Sequence, residues 1–347
     1  GNTYTGKVSV LAECRGMGRD MVLTNGTFVS RLVGSVDDRL DYRDYHIRIA
    51  KGAVLDLSGT GRAGDWGRVA IGNANLAAYG DNSVETRFTV DGGTVILGGN
   101  NSGNCNFVGV DQPGTAILEI LDGVFRATNA NANTSWSSGG ALRIAANSSA
   151  TGIVRVKGGR FEIPYDLSLA TQYNNTNGGS GNATFEQTGG FSDLCYSYIG
   201  FASAGSGSGT MNLTGGEMSC VFLYALGYGT QTLYIDNYTI HAESNDNANY
   251  GFLCTAGSKD SYPKSYTVGE HGFTADTAGH SVSMSIPFAG PGAITVTGGG
   301  TMTMRGDLAN AGGIIVDAGT TLSFAGNRKV TGPIVFAEGT AFKTALP

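Results

Sequence analysis

Residues 87–97 read RFTVDGGTVIL, a short run of alternating apolar and polar positions, a glycine pair and a second alternating run. Alternation of this kind marks a half-buried strand, and glycines between two such runs predict a sharp bend between strands. The unit returns along the chain. VDGGTVI, ILDGVFR, VKGGRFE, QTGGFSD, LTGGEMS and IDNYTIH put Gly93, Gly123, Gly159, Gly190, Gly216 and Asn237 in equivalent places, at spacings of 30, 36, 31, 26 and 21 residues. A strand-and-turn repeat of about 20 to 50 residues predicts a solenoid.

Each repeat has two further parts. A strand ending in a small residue (VAIG, FVGV, LRIAA, LSLAT, YIGFA, YALG) is followed by a loop that often carries Gly-Ser-Gly or Gly-Thr-Gly, and then by the alternating strand that leads into the glycine corner. Three short strands per repeat describe one triangular coil. Parallel strands cannot be joined by hairpins, so each must pair with its equivalent one coil later. The pattern therefore predicts an all-β chain folded as a parallel β-helix of about eleven coils. One domain is expected over 1–347, with N-terminal coils and a charged segment in 1–50 and regular glycine-cornered repeats in 51–245. An irregular insertion or loops are expected in 246–290 and C-terminal coils in 291–347. Glycine or asparagine suits the corners because the turn needs φ > 0 or a backbone without a Cβ facing the coil above. The inward residues after the corners are expected to be Val95, Phe125, Phe161 and Met218.

Composition supports order and narrows the partners. Glycine is 56 of 347 residues and charged residues are 14%, but 41% hydrophobic residues placed in alternation give every strand a face to bury. A net charge of −6 without a dense Lys/Arg cluster gives no attraction to nucleic acid or to anionic lipid. No run of eighteen apolar residues is present, so no helical membrane insertion is expected. Cys14, Cys105, Cys195, Cys220 and Cys254 show no metal-ligand spacing, and GDWG, GSGSG and GGG lack the lysine and following helix of a phosphate loop. No metal and no cofactor are expected. Cys195, Cys220 and Cys254 fall in successive repeats, either stacked on neighbouring coils or buried as separate thiols.

Three stretches carry candidate chemistry. Residues 36–48 (VDDRLDYRDYHIR) hold Asp37, Asp38, Asp41, Asp44 and His46, residue types that bind Ca²⁺ or move protons; alternation of Tyr45, Ile47 and Ile49 against Asp44, His46 and Arg48 reads more simply as a solvated strand face. Residues 246–290 bring Tyr250, Tyr262 and Tyr266 together with Lys259, Asp260 and Lys264, either aromatic groups for sugar rings or packed tyrosines of a long coil. Asp91, Asp122 and Asp236 occupy related corners, where aspartate is ordinary turn chemistry. The paired carboxylates, GHG and later RIK of polygalacturonase-like hydrolases are not matched in order or spacing by Asp37-Asp38, His271-Gly272 and Arg48-Ile49. No catalytic residue is assigned.

GNTYTGKVSV and GGGTMTMRGDLANAGGIIVDAGTTLSF resemble the autotransporter-associated β-strand repeats, and YIGFASAGSGSGTMNLTGG is similar to type V secretion passenger repeats. The resemblance covers most of the chain. It implies a right-handed parallel β-helix exported to the cell surface or beyond, as a structural or adhesive module without catalysis. The alternative from the fold is a carbohydrate-active β-helix: a polysaccharide lyase, a glycoside hydrolase or a glycan-binding module. A repeat begins at residues 2–6 and the last alternating strand is Ile334–Phe336, with no cap read at either end. The expected partners are therefore copies of the chain stacked head to tail into filaments, or a longer parent chain, together with surface glycans.

Overall fold

The computed structural model describes residues 7–9, 20–29, 32–33, 46–58, 68–71, 85–97, 106–109, 114–128, 141–145, 150–170, 181–199, 207–225, 229–247, 250–257 and 261–344. The regular elements among them are all strands, and every strand pairing is parallel, to the equivalent strand one coil away. The chain is a parallel β-helix with three faces.

The second face, which follows the glycine corner, shows the stacking most completely. Its ladder runs through Lys7–Ser9, Gly26–Val29, Ala53–Asp56, Glu85–Leu97, Gly114–Ala127, Arg160–Leu169, Asn182–Ile199, Ser208–Cys220, Tyr238–Ala242, Phe273–Asp276, Ile294–Thr297, Ile314–Val316 and Ile334–Phe336. These thirteen strands exceed the expected eleven coils because the first fifty residues and the closely spaced final coils each add turns. At about 4.8 Å per coil the rod is roughly 60 Å long.

Alternation decides which residues point inward. In His46–Ala50 the exposed His46 and Arg48 alternate with buried Ile47 and Ile49. Asp37, Asp38, Asp41 and Asp44 lie outside the described residues. Val95, Phe125, Phe161 and Met218 are fully buried. Phe88, Phe125, Phe161 and Phe185 form an internal spine, with ring centroids 6.4, 5.8 and 5.9 Å apart in succession. Two of the glutamines inside are paired, Gln187 Oε1 accepting from Ser192 Oγ at 2.8 Å and Gln231 Oε1 from Tyr266 Oη at 2.7 Å, whereas Ser197 Oγ and Asn310 Oδ1 are buried without a hydrogen-bond partner among the described residues.

Gly93, Gly123, Gly159, Gly190 and Gly216 stand in one column at the bend between the first and second faces. A Cβ on Gly159, whose φ is +66°, would lie 2.3 Å from the Gly123 carbonyl oxygen. The coils approach so closely there that a side chain has no room. Asn237 takes the bend at φ +50° and donates its N–H to the Gly272 carbonyl at 2.7 Å. In this coil and the next the bend has no glycine pair, Asn237 and then Gly272 standing there alone, and a pair returns at Gly312-Gly313. Residues 246–290 therefore look irregular in sequence, yet they hold Leu253–Thr255, Lys264–Val268, Phe273–Asp276, Ser281–Met284 and Ala289–Gly290, stacked in register with the coils on either side.

Candidate functional site

The bend between the second and third faces carries a different column. Where one coil reads PYD, the next CYS and the next VFL, each supplies an aromatic ring at the same edge. Tyr165 and Tyr196 lie 5.9 Å apart, Tyr196 stacks on Phe222 at 4.8 Å, and Phe222 meets Tyr250 at 4.7 Å. Tyr224 closes the group, 5.0 Å from Tyr250. Phe222 is buried beneath the tyrosines, which stay partly exposed. Aromatic rings thus climb the rod one coil at a time.

Acidic groups flank the rings. Asp166, in register with Tyr196, is buried; loss of solvation pushes its pKa up to about 7, and the nearby Arg143 only partly opposes this. On the second face, Arg126, Glu162, Asp193, Ser219, His241 and Asp276 form one outward column. Ser219 Oγ donates to Glu243 Oε1 at 2.7 Å and stands 3.5 Å from Asp193 Oδ1. Burial raises the Glu243 pKa and the neighbouring Asp193 raises it further, against the Ser219 hydrogen bond. Asp193 and Glu243 thus face the same Ser219 hydroxyl from neighbouring coils.

At the upper end of the ring column a cavity of about 190 Å³ opens. Tyr224 and Tyr250 form its aromatic wall, and Asp246, Ser283, Ser285 and Arg305 supply polar groups. The loop that builds it is held by Asp246, whose Oδ1 accepts the backbone N–H of Phe252 at 3.1 Å and of Ser283 at 3.0 Å.

The other sequence candidates are placed as follows. Cys195, Cys220 and Cys254 are free thiols in different columns: Cys220 faces the core opposite Ala242, Cys254 pairs with Tyr224 on the third face, and Cys195 sits at the bend between those faces. Burial pushes the Cys195 thiol up to about 11 and Cys254 up to about 12, so neither is a ready nucleophile. Cys14 and Cys105 lie outside the described residues. Arg48 Nε donates to Asp91 Oδ2 at 2.8 Å, and Asp122 Oδ1 accepts the Gly123 N–H at 2.8 Å. Asp236 Oδ1 accepts the His271 N–H at 2.7 Å; burial works against its charge, but the His271 hydrogen bonds hold its pKa below the usual range. These aspartates serve their corners.

Among the sequence-flagged tyrosines, Tyr250 joins the ring column, Tyr266 is buried and Tyr262 is exposed. Lys259 and Asp260 lie outside the described residues. Tyr165, Tyr196 and Phe222 were not singled out by sequence reasoning, although a signal was present. Their spacings of 31 and 26 residues equal those of Gly159, Gly190 and Gly216. Among the described residues no group of three or more His, Cys, Asp or Glu side chains is arranged to hold a metal ion, and no helix is long and apolar enough to cross a membrane. No family model, no curated protein and no solved structure matches the chain.

Proposed function

We propose that this chain is an extracellular β-helical surface module, structural and adhesive, that holds glycan chains along the edge between its second and third faces. The observation that carries this reading is the unbroken column of Tyr165, Tyr196, Phe222 and Tyr250, flanked by Asp166, Asp193 and Glu243. Aromatic faces with hydroxyl tips suit a ligand that has apolar ring faces and many hydroxyls, and the partly exposed Asp193 and the exposed Glu243 accept those hydroxyls. A linear polymer lying along the rod, whose coils are about 4.8 Å apart, meets the partly exposed rings of Tyr165, Tyr196 and Tyr250, with Phe222 packed beneath them. Surface export is what the likeness to autotransporter repeats implies, and the rod serves as the scaffold. The test is binding of neutral hexasaccharides by calorimetry. Tyr196→Ala should weaken binding about tenfold, equivalent to ~1.4 kcal/mol. Absence of binding, or an unaffected variant, overturns the reading.

A second reading rests on the last coil. Ile334–Phe336 and Ala341–Thr344 have partners on one side only among the described residues, and Val335, Phe336 and Phe342 are exposed there. Such an edge accepts another strand in register, which supports head-to-tail association with a further copy. Sedimentation velocity over a hundredfold concentration range should show growth, and Phe342→Lys should abolish it.

A further inference from the structure

The cavity at the end of the ring column is a built site with its own chemistry. Its volume of about 190 Å³ is well below the ~300–1,000 Å³ of drug-sized ligand pockets, and it has room for about six waters, on the scale of one pyranose ring. Asp246 uses only Oδ1 to hold the loop. Its second oxygen, Oδ2, is 3.5 Å from where a Cβ on Gly251 would stand, so the absence of a side chain at Gly251 leaves that oxygen approachable. Arg305 lines the same space and makes no ion pair with Asp246 or with any other described residue. An acceptor and a cationic donor therefore face one small cavity without neutralising each other, beside the Tyr250 ring.

We infer that this cavity binds a single neutral hexopyranose residue of a glycan, as the end subsite of the aromatic edge. Tyr250 stacks on the apolar face of the sugar, Asp246 Oδ2 accepts a hydroxyl and Arg305 donates to its neighbour. The inference rests on the glycan reading above and specifies the sugar. An acidic sugar is disfavoured because Asp246 lines the cavity and Asp193 and Glu243 stand along the approach, while Arg305 is the one cation among its described lining residues. Charge on the ligand would meet more repulsion than attraction.

The experiment compares neutral gluco-, galacto- and manno-configured hexasaccharides with the corresponding uronate hexasaccharides on the full chain. Calorimetry gives affinity, and saturation-transfer NMR shows which sugar residue is contacted. A neutral hexasaccharide should bind at least tenfold more tightly than its uronate counterpart. Arg305→Gln, an exposed position, should lose about tenfold of that affinity, and Gly251→Ala, which projects a methyl toward Ser283 Oγ and Asp246 Oδ2, should lose the terminal-residue NMR contact. Uronates binding as tightly as neutral chains would overturn the inference. So would neutral binding that Tyr196→Ala weakens but Arg305→Gln leaves unchanged, an outcome that keeps the glycan edge and removes the end subsite. Absence of binding by any neutral hexasaccharide overturns both.

Discussion

The final coils repeat every 20 residues, since Ile294, Ile314 and Ile334 align and so do Thr301, Thr321 and Ala341, whereas in the middle of the chain the step from Phe125 to Phe161 is 36 residues and from Phe161 to Ser192 is 31. Both regions share the same three-faced frame. The middle coils carry the ring column, buried Asp166 and the charged outward columns; the final coils present Thr303 and Ser323 in register on the third face. Part of the extra length lies in the strands themselves, since Asn182–Ile199 and Ser208–Cys220 run on through the bend while Ile294–Thr297 and Thr301–Met304 stop at it, and the frame constrains only the inward residues and the corners. Outward positions are left to chemistry. The outer surface of the middle coils is rich in rings and charge, and that of the final coils in small hydroxyls, with Arg305 at the boundary between them.

The largest expected difference is in the core. Phe161 is fully buried in the phenylalanine spine, with rings of Phe125 and Phe185 at 5.8 and 5.9 Å, while Leu322 is buried near the end, in register between Met302 and Phe342. Phe161→Ala should destabilise the chain by about 3 to 5 kcal/mol and Leu322→Ala by about 2 to 4 kcal/mol, read from urea unfolding. A smaller loss at Phe161 than at Leu322 would show that the aromatic spine does not hold the middle coils.

How far the fold was legible follows from the same contrast. Inward and outward positions were readable wherever alternation is strict, as in RFTV and TMTM, because the period of two is dictated by the strand itself. The corner at Gly159 was readable because the close approach of Gly123 excludes a side chain, and that leaves a mark in composition. Residues 246–290 look irregular in sequence because Asn237 and Gly272 stand at the bend in place of a glycine pair, so the mark disappears while the strands persist. The ring column was harder to see. Nothing in the fold requires an aromatic residue at that edge, so no rule of strand or turn points to Tyr196. The three cysteines illustrate the converse: similar sequence spacing does not give one column, because a shift of a single residue at a bend moves a side chain from core to corner.

A second probe is pH. The Asp166 carboxyl has a pKa of about 7 in the folded chain because burial disfavours its charge, against an ordinary aspartate value of about 3.9 once unfolded. The folded state therefore binds the proton more tightly. Its stabilising contribution is complete below pH ~4, diminishes from there, and is lost as pH rises through about 7. Asp166→Asn should remove this dependence, making the variant the more stable protein at pH 8 by up to about 4 kcal/mol and nearly equal to the parent at pH 4. Among the described residues the final coils bury no carboxylate, so equivalent substitutions there should have no such pH profile. Parallel unfolding midpoints for parent and variant between pH 4 and 8 would show that Asp166 is solvated.

The smallest effect is expected from the charged faces. Arg155 Nε donates to Glu186 Oε2 at 2.8 Å across neighbouring coils of the middle region, and the two side chains retain 29% and 35% of their exposure. Water and salt screen a pair this open, and holding two long side chains in one geometry costs entropy, so such bridges contribute about 0 to 1 kcal/mol. Arg155→Met should accordingly change stability by less than ~1 kcal/mol, with the change shrinking further in 1 M salt. Thr303→Val, on the outward face of a final coil, should stay within about 0.5 kcal/mol of the parent. Two values this close to zero mean that either outer surface is compatible with the same frame. A loss above ~2 kcal/mol at Arg155 would instead make its charged face part of the structure that joins the coils.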